Sequence, residues 1–128
     1  MIELAIVLVL VSFLTAIAIP AVGRQRDVAA VRRATQSLTD ALAVARDVAL
    51  AGVAPVAVDL NADPASITGR SANDTVERHE LGTALHATRD SMAYGPDGLG
   101  VGAANLTAIL SRGMAAETVV VSRLGRVR

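Results

Sequence analysis

Residues 1–19 run almost unbroken apolar, interrupted only by Glu3, Ser12 and Thr15, and the run stops at Pro20. A helix over this stretch spans about 28 Å at 1.5 Å of rise per residue, close to the hydrocarbon thickness of a bilayer. Beyond Pro20 and Gly23 the pattern becomes amphipathic. Val28, Val31, Thr35, Leu38, Leu42, Ala45 and Ala49 recur at alternating spacings of three and four, which is one helical stripe, and Arg26, Arg33, Asp40 and Asp47 fall off it. Gly52 and Pro55 supply a stop, so this second helical stretch ends near Ala51. Pro20 removes one intrahelical hydrogen bond and predicts a kink rather than a break. The expectation is one long kinked helix, with a transmembrane half over residues 1–23 and an amphipathic half over residues 24–52.

From residue 53 to the end the signals are strands and turns. Val56, Val58 and Leu60 alternate with smaller or polar residues, and Asn61-Ala62-Asp63-Pro64 reads as a turn. Further strands are predicted over 76–81, 84–88, 91–94, 106–110 and 117–122. Pro96-Asp97-Gly98 is a turn by composition, and Arg112-Gly113 separates the last two long strands. The fold class that follows is α+β, a small antiparallel sheet over residues 53–128 packed on the amphipathic half of the helix.

Size and charge narrow the picture. With the apolar stretch set aside, the 128-residue chain keeps enough for one modest core. Twelve arginines and no lysine balance twelve acids, so any attraction to nucleic acid or anionic lipid has to be local. The absence of cysteine excludes disulfides, thiolate catalysis and thiolate metal sites. An ionised carboxylate inside a spanning helix costs about 2.5–3.5 kcal/mol even on permissive scales, which makes Glu3 the first functional candidate.

Two other readings of the apolar start compete. A cleaved signal peptide would use the small-x-small Ala16-Ile17-Ala18, but it lacks a basic leading region and the run is too long. An ordinary signal anchor would place the C-terminus in the cytoplasm, because Arg24, Arg26, Arg32 and Arg33 all follow the span.

Met1-Ile2-Glu3-Leu4, the aliphatic run and Ala18-Ile19-Pro20-Ala21 resemble the N-terminus of the type IV pilin superfamily. In that family a prepilin peptidase cuts after a basic, glycine-ended leader, and the new N-terminus is an N-methylated Phe followed by Thr, two aliphatic residues and Glu. The resemblance implies that the leader and first two mature residues belong upstream of Met1, where the leader's basic residues would reverse the positive-inside count. It implies a single-pass protein of the bacterial inner membrane with its C-terminal domain in the periplasm. It also implies assembly roles for Glu3, which would neutralise the terminal amine of a neighbouring subunit, and for Pro20.

The rest of the chain resembles the H-type minor pseudopilins of type II secretion and the FimT-like minor pilins. The shared pieces are Ala45-Arg46-Asp47-Val48-Ala49-Leu50, Pro55-Val56-Ala57-Val58, Met92-Ala93-Tyr94-Gly95-Pro96-Asp97-Gly98, Val119-Val120-Val121-Ser122 and Leu124-Gly125-Arg126-Val127-Arg128. What this implies is a non-catalytic structural subunit of a type II secretion or type IV pilus assembly, with other pilins or pseudopilins as partners and no cofactor.

Other chemistry finds little support. Asp59-Leu60-Asn61-Ala62-Asp63 opens like a calcium loop, yet Pro64 replaces the sharp-turn glycine and Arg70 the bidentate glutamate. Gly98-Leu99-Gly100-Val101-Gly102 carries no lysine and leads into no helix, so it reads as a flexible hairpin loop. His79 and His86 lack the spacing of a metal site and read as exposed strand residues. Asn73-Asp74-Thr75 and Asn105-Leu106-Thr107 match the glycosylation sequon as readily by chance as by design. No nucleophile, base and orienter assemble, so no catalytic residue is assigned.

The local signal that survives is the tail. Arg123, Arg126 and Arg128 crowd the C-terminus, and Gly125-Arg126-Val127-Arg128 resembles the tail of FimT-like minor pilins that bind DNA. Arginine forks suit phosphates. The competing reading, in which the same residues only close the last strand, is also common in H-type pseudopilins. The three functional expectations are therefore an assembly subunit, a DNA-binding minor pilin, and a lone single-pass membrane protein.

Overall fold

The computed structural model describes residues 2–52, 54–71, 74–102 and 105–128, with the side chains of 17–19 and 74–77 left aside. One helix, α1 (Ile2–Gly52), runs the whole N-terminal half with Pro20 inside it. It is the one long helix expected from the sequence, continuous from its apolar half into its amphipathic half. Proline costs the helix one hydrogen bond and a steric adjustment toward the preceding turn, which neighbouring turns absorb without ending it. The helix stops at Gly52, one residue beyond the expected end.

Eight strands follow: β1 (Val56–Ala62), β2 (Ala65–Ser71), β3 (Asp74–Glu80), β4 (Ala84–Ala87), β5 (Ser91–Tyr94), β6 (Gly100–Val101), β7 (Leu106–Arg112) and β8 (Ala115–Val121). The expected single sheet is two. Five strands pair in the order β3-β2-β1-β5-β6, and three in the order β4-β7-β8. All pairings are antiparallel. The chain leaves the first sheet after β3, pairs β4 with β7, and returns with β5 beside β1. Alternation along a strand reveals its buried face but not its partner, which is why one sheet was the simpler expectation.

Strand β2 was not expected. Its sequence is Ala-Ser-Ile-Thr-Gly-Arg-Ser, with only Ser66 and Ile67 buried and a register shift at Gly69/Arg70. It is held by backbone pairing on both sides rather than by an apolar face. The expected flexible loop over 98–102 likewise contains a strand, since β6 pairs with β5. The turn between them is pinned by the Asp97 carboxylate, which accepts from the Leu99 amide at 3.0 Å.

The core lies between α1 and both sheets. Val31, Leu38, Leu42, Ala45 and Ala49 from the helix meet Val56, Val58, Ile67, Met92 and Tyr94 from one sheet and Leu106, Leu110, Val119 and Val121 from the other. Alanines 30, 34, 41, 45 and 49 are all buried, and side chains this small let the strands approach the helix closely. The stripe begins later than the periodicity indicates. Val28 is 39% exposed while Ala30 is 7%, because Val28 sits at the lower rim of the head, beside the β7–β8 turn.

Candidate functional site

Over residues 2–16 the apolar half of α1 packs against nothing among the described residues. Every residue over 2–16 is exposed, including Leu4, Leu8, Leu10, Phe13 and Leu14. Its polar side chains are satisfied by the helix itself: the Ser12 hydroxyl donates to the Leu8 carbonyl at 2.7 Å and the Thr15 hydroxyl to the Val11 carbonyl at 2.8 Å. Such back-bonding lets both sit in an apolar medium without an unsatisfied hydroxyl. Glu3 lies in the first turn, exposed, where the positive end of the helix dipole favours a carboxylate. Pro20 follows at the end of the run.

The far end of the molecule is built around the tail. After β8 the chain turns back, with the Gly125 amide donating to the Ser122 carbonyl and the Ser122 amide to the Arg126 carbonyl, each at 2.9 Å. Val120 and Arg128 then exchange both backbone hydrogen bonds, at 2.7 and 2.9 Å, and Val127 bridges to Val121. Residues 126–128 thus act as a short extra strand covering the edge of β8. Val127 packs against the core, which turns Arg126 and Arg128 outward to the same side. Arg123 is exposed too, but its backbone serves the fold. Its amide donates to the Asn105 side-chain oxygen at 3.0 Å, and its carbonyl accepts from the Gly100 amide at 3.1 Å.

Glu3 and the terminal arginines do not meet. The tail packs beside Arg46, some forty residues along the helix from Glu3, or about 65 Å of axial rise. They are two separate surfaces.

Arg46 is a residue that the sequence reading left out of the site. It is half-buried, with its Nε sealed from solvent and without an acceptor among the described residues, and it lies against both Gly98 and Gly125. A Cβ at either glycine would sit 3.3–3.4 Å from the guanidinium. Both glycines have positive φ, at 71° and 72°, so they suit both the turns and the arginine between them. Beside it, the buried Tyr94 phenol is pushed above its usual value by desolvation, an effect that the Arg46 charge partly opposes. The clue available in the sequence was an arginine flanking the buried Ala45 and Ala49, but its glycine partners are far away in the chain.

The remaining sequence candidates resolve simply. Asp59 is ion-paired with Arg70 across the β1–β2 hairpin. His86 is exposed on β4, and His79 is half-buried on β3. Asn105 is committed to the tail, and Asn73 lies outside the described residues. Among the described residues no group of three or more His, Cys, Asp or Glu is arranged to hold a metal.

A long helix packed on antiparallel sheets has counterparts among solved structures over about three quarters of this chain. The type IV minor pilin FimU of Pseudomonas aeruginosa matches with a TM-score of 0.63 at 13% identity, over 76% of this chain and 90% of that one. The chain has the minor-pilin fold. A second crystal form of FimU matches with a TM-score of 0.65 at 12% identity, over 77% of this chain and 86% of that one. The minor pseudopilin EpsH from the type 2 secretion system of Vibrio cholerae gives a TM-score of 0.61 at 13% identity, over 77% of this chain and 94% of that one. No protein-family model matches the chain, and no curated protein matches it by sequence. At such low identity it is the minor-pilin architecture that is shared, rather than any particular surface.

Proposed function

We propose that this chain is a minor pilin or minor pseudopilin, a non-catalytic structural subunit of a type IV pilus or a type II secretion assembly. The observation that carries the reading is α1 itself: a continuous 51-residue helix, bare and apolar over its first half and packed on the head over its second. A bare apolar helix of this length needs a bilayer or a bundle of like helices around it. An assembly subunit uses both in turn, first as a single-pass protein of the bacterial inner membrane with a periplasmic head, then in the helical core of a filament. Prepilin peptidase would act on its precursor and N-methylation would follow.

Glu3 has a task in this reading. In the filament core it would neutralise the amine at the N-terminus of a neighbouring subunit, both charges leaving water together, which is the arrangement that offsets their desolvation. The test is co-purification with the other pilins of its host. Glu3→Ala should insert in the membrane as well as the parent, yet recover less of the partner subunits and fail to complement a deletion strain. Equal recovery and full complementation would exclude the charge-pairing role.

A second reading, a minor pilin that binds DNA, draws on Arg126 and Arg128, which the tail strand turns outward together. The backbone of the same residues closes β8, so their presence alone favours neither reading. A binding measurement separates the two.

A further inference from the structure

The end of the head that faces the apolar half of α1 has an unusual tip. Met114, in the β7–β8 turn, is 91% exposed. It stands beside α1, where Arg24, Asp27, Val28, Gly113, Met114 and Ala115 line a shallow hollow of about 250 Å3. Asp27 is already paired with Arg112. No carboxylate among the described residues lies within ion-pair distance of Arg24.

The height of this tip above a bilayer follows from the sequence. Between Glu3 and Arg24 lie twenty residues without a charge, about 30 Å of helix, which matches the hydrocarbon core. Arg24 then falls at the hydrocarbon boundary. The β7–β8 turn, level with Asp27, lies three residues or about 5 Å above Arg24, inside a headgroup layer about 5–8 Å deep on each side.

We propose that the β7–β8 turn, with Met114 at its tip, and Arg24 beside it form a footing that rests in the phospholipid headgroup layer while the chain is anchored in a bilayer. An unbranched thioether adapts to the irregular boundary between headgroups and acyl chains. The Arg24 guanidinium offers a planar fork to a lipid phosphate. The Asp27–Arg112 pair and the contacts of the turn on α1 fix the footing relative to the helix. The inference rests on the membrane-anchored reading above and adds to it a defined face of the head against the lipid.

The test exploits the absence of cysteine from the chain. Leu10→Cys, Asp47→Cys and Met114→Cys, each in the full chain and each at an exposed position, carry one fluorophore. They are reconstituted in vesicles of phosphatidylethanolamine and phosphatidylglycerol containing lipids with a quencher on either the headgroup or the acyl chain. The label at 10 should be quenched by acyl-chain quencher. The label at 114 should be quenched by headgroup quencher roughly twofold or more above the label at 47, which stands about 30 Å higher along the helix. Replacing Arg24 by Gln should reduce that quenching at 114. Acyl-chain quenching at 10 with a label at 114 as unquenched as that at 47 overturns the footing and leaves the anchor intact. So does a label at 114 shielded from aqueous quencher but untouched by lipid quencher, since that result means a second protein copy covers the turn. No acyl-chain quenching at 10 overturns the anchored reading together with the footing.

Discussion

The Asp27 carboxylate lies 3.3 Å from the Arg112 guanidinium, Oδ1 to Nε, where α1 enters the head. It ties the helix to the β7–β8 turn. Arg112 also donates to the Gly82 carbonyl at 3.4 Å, which brings in the β3–β4 connection. At the other end, Arg46 lies between the β5–β6 turn and the tail. The helix is thus gripped at both ends of its packed half, leaving everything below Asp27 to the surroundings.

Deleting residues 1–23 should therefore leave a soluble head that unfolds cooperatively, because the buried helical residues begin at Ala30. Circular dichroism should show mixed helix and strand, with a single thermal transition. An insoluble or unfolded product would mean that the apolar half belongs to the fold.

Gly113 tests the grip. It has a φ of 58°, and a Cβ there would lie 2.5 Å from Asp27 Oδ2. Gly113→Ala should destabilise the head by about 1–3 kcal/mol, from the left-handed backbone and the displaced carboxylate together. Asp27→Ala alone should cost only about 0.2–1 kcal/mol, since the pair is partly exposed, and less at high salt. In urea unfolding the double variant should lose less than the two separate losses added, because removing the carboxylate removes the collision. Strict additivity would mean that the turn does not press on Asp27.

Most of the helix and six of the strands were legible from the pattern of apolar positions and turn residues along the chain. Leu38, Leu42, Ala45 and Ala49 announce a helical face, and Val56, Val58 and Leu60 a strand face. Strand β2 was hidden because its neighbours β1 and β3 satisfy its backbone on both sides while its outer side chains remain polar. No periodicity exists to find there. The bare helix was legible for the opposite reason, that nothing inside the chain could cover it. Arg46 was invisible because its role depends on Gly98 and Gly125 arriving from distant parts of the chain.

Burial of Tyr94 predicts alkaline sensitivity. Its folded-state pKa is raised above the ordinary value near 10, first by desolvation and with Arg46 partly opposing. The unfolded chain therefore releases this proton at lower pH than the folded one. The preference is without consequence below about pH 10 and erodes stability as pH rises through the unfolded value toward the folded one. Thermal melts of the head should fall above pH 10 more steeply than those of Tyr94→Phe. Parallel curves would show that the phenol ionises as freely in the fold as outside it.

The tail separates a structural from a binding role, because its backbone and its side chains act independently. Val120 bonds to the backbone of Arg128, and Val127 packs on the core, so truncation after Leu124 uncovers the edge of β8 and should destabilise the head by about 1–3 kcal/mol. Replacing Arg126 and Arg128 by Gln keeps every one of those bonds and should change stability by less than about 0.5 kcal/mol. If the two guanidinium groups contact phosphates, the soluble head should bind duplex DNA at low salt. The log affinity should then fall with log salt at a slope of about 0.9 per contact, near 2 for this pair. Gln at both positions should abolish it. Over residues 24–128 twelve arginines face eleven acids, so the head's general attraction to DNA is too weak to substitute for the pair. Fluorescence anisotropy therefore decides. Salt-sensitive binding lost in a variant of unchanged stability assigns the side chains to DNA, whereas binding that is absent, or unchanged by Gln, leaves the tail with the closure of β8 alone.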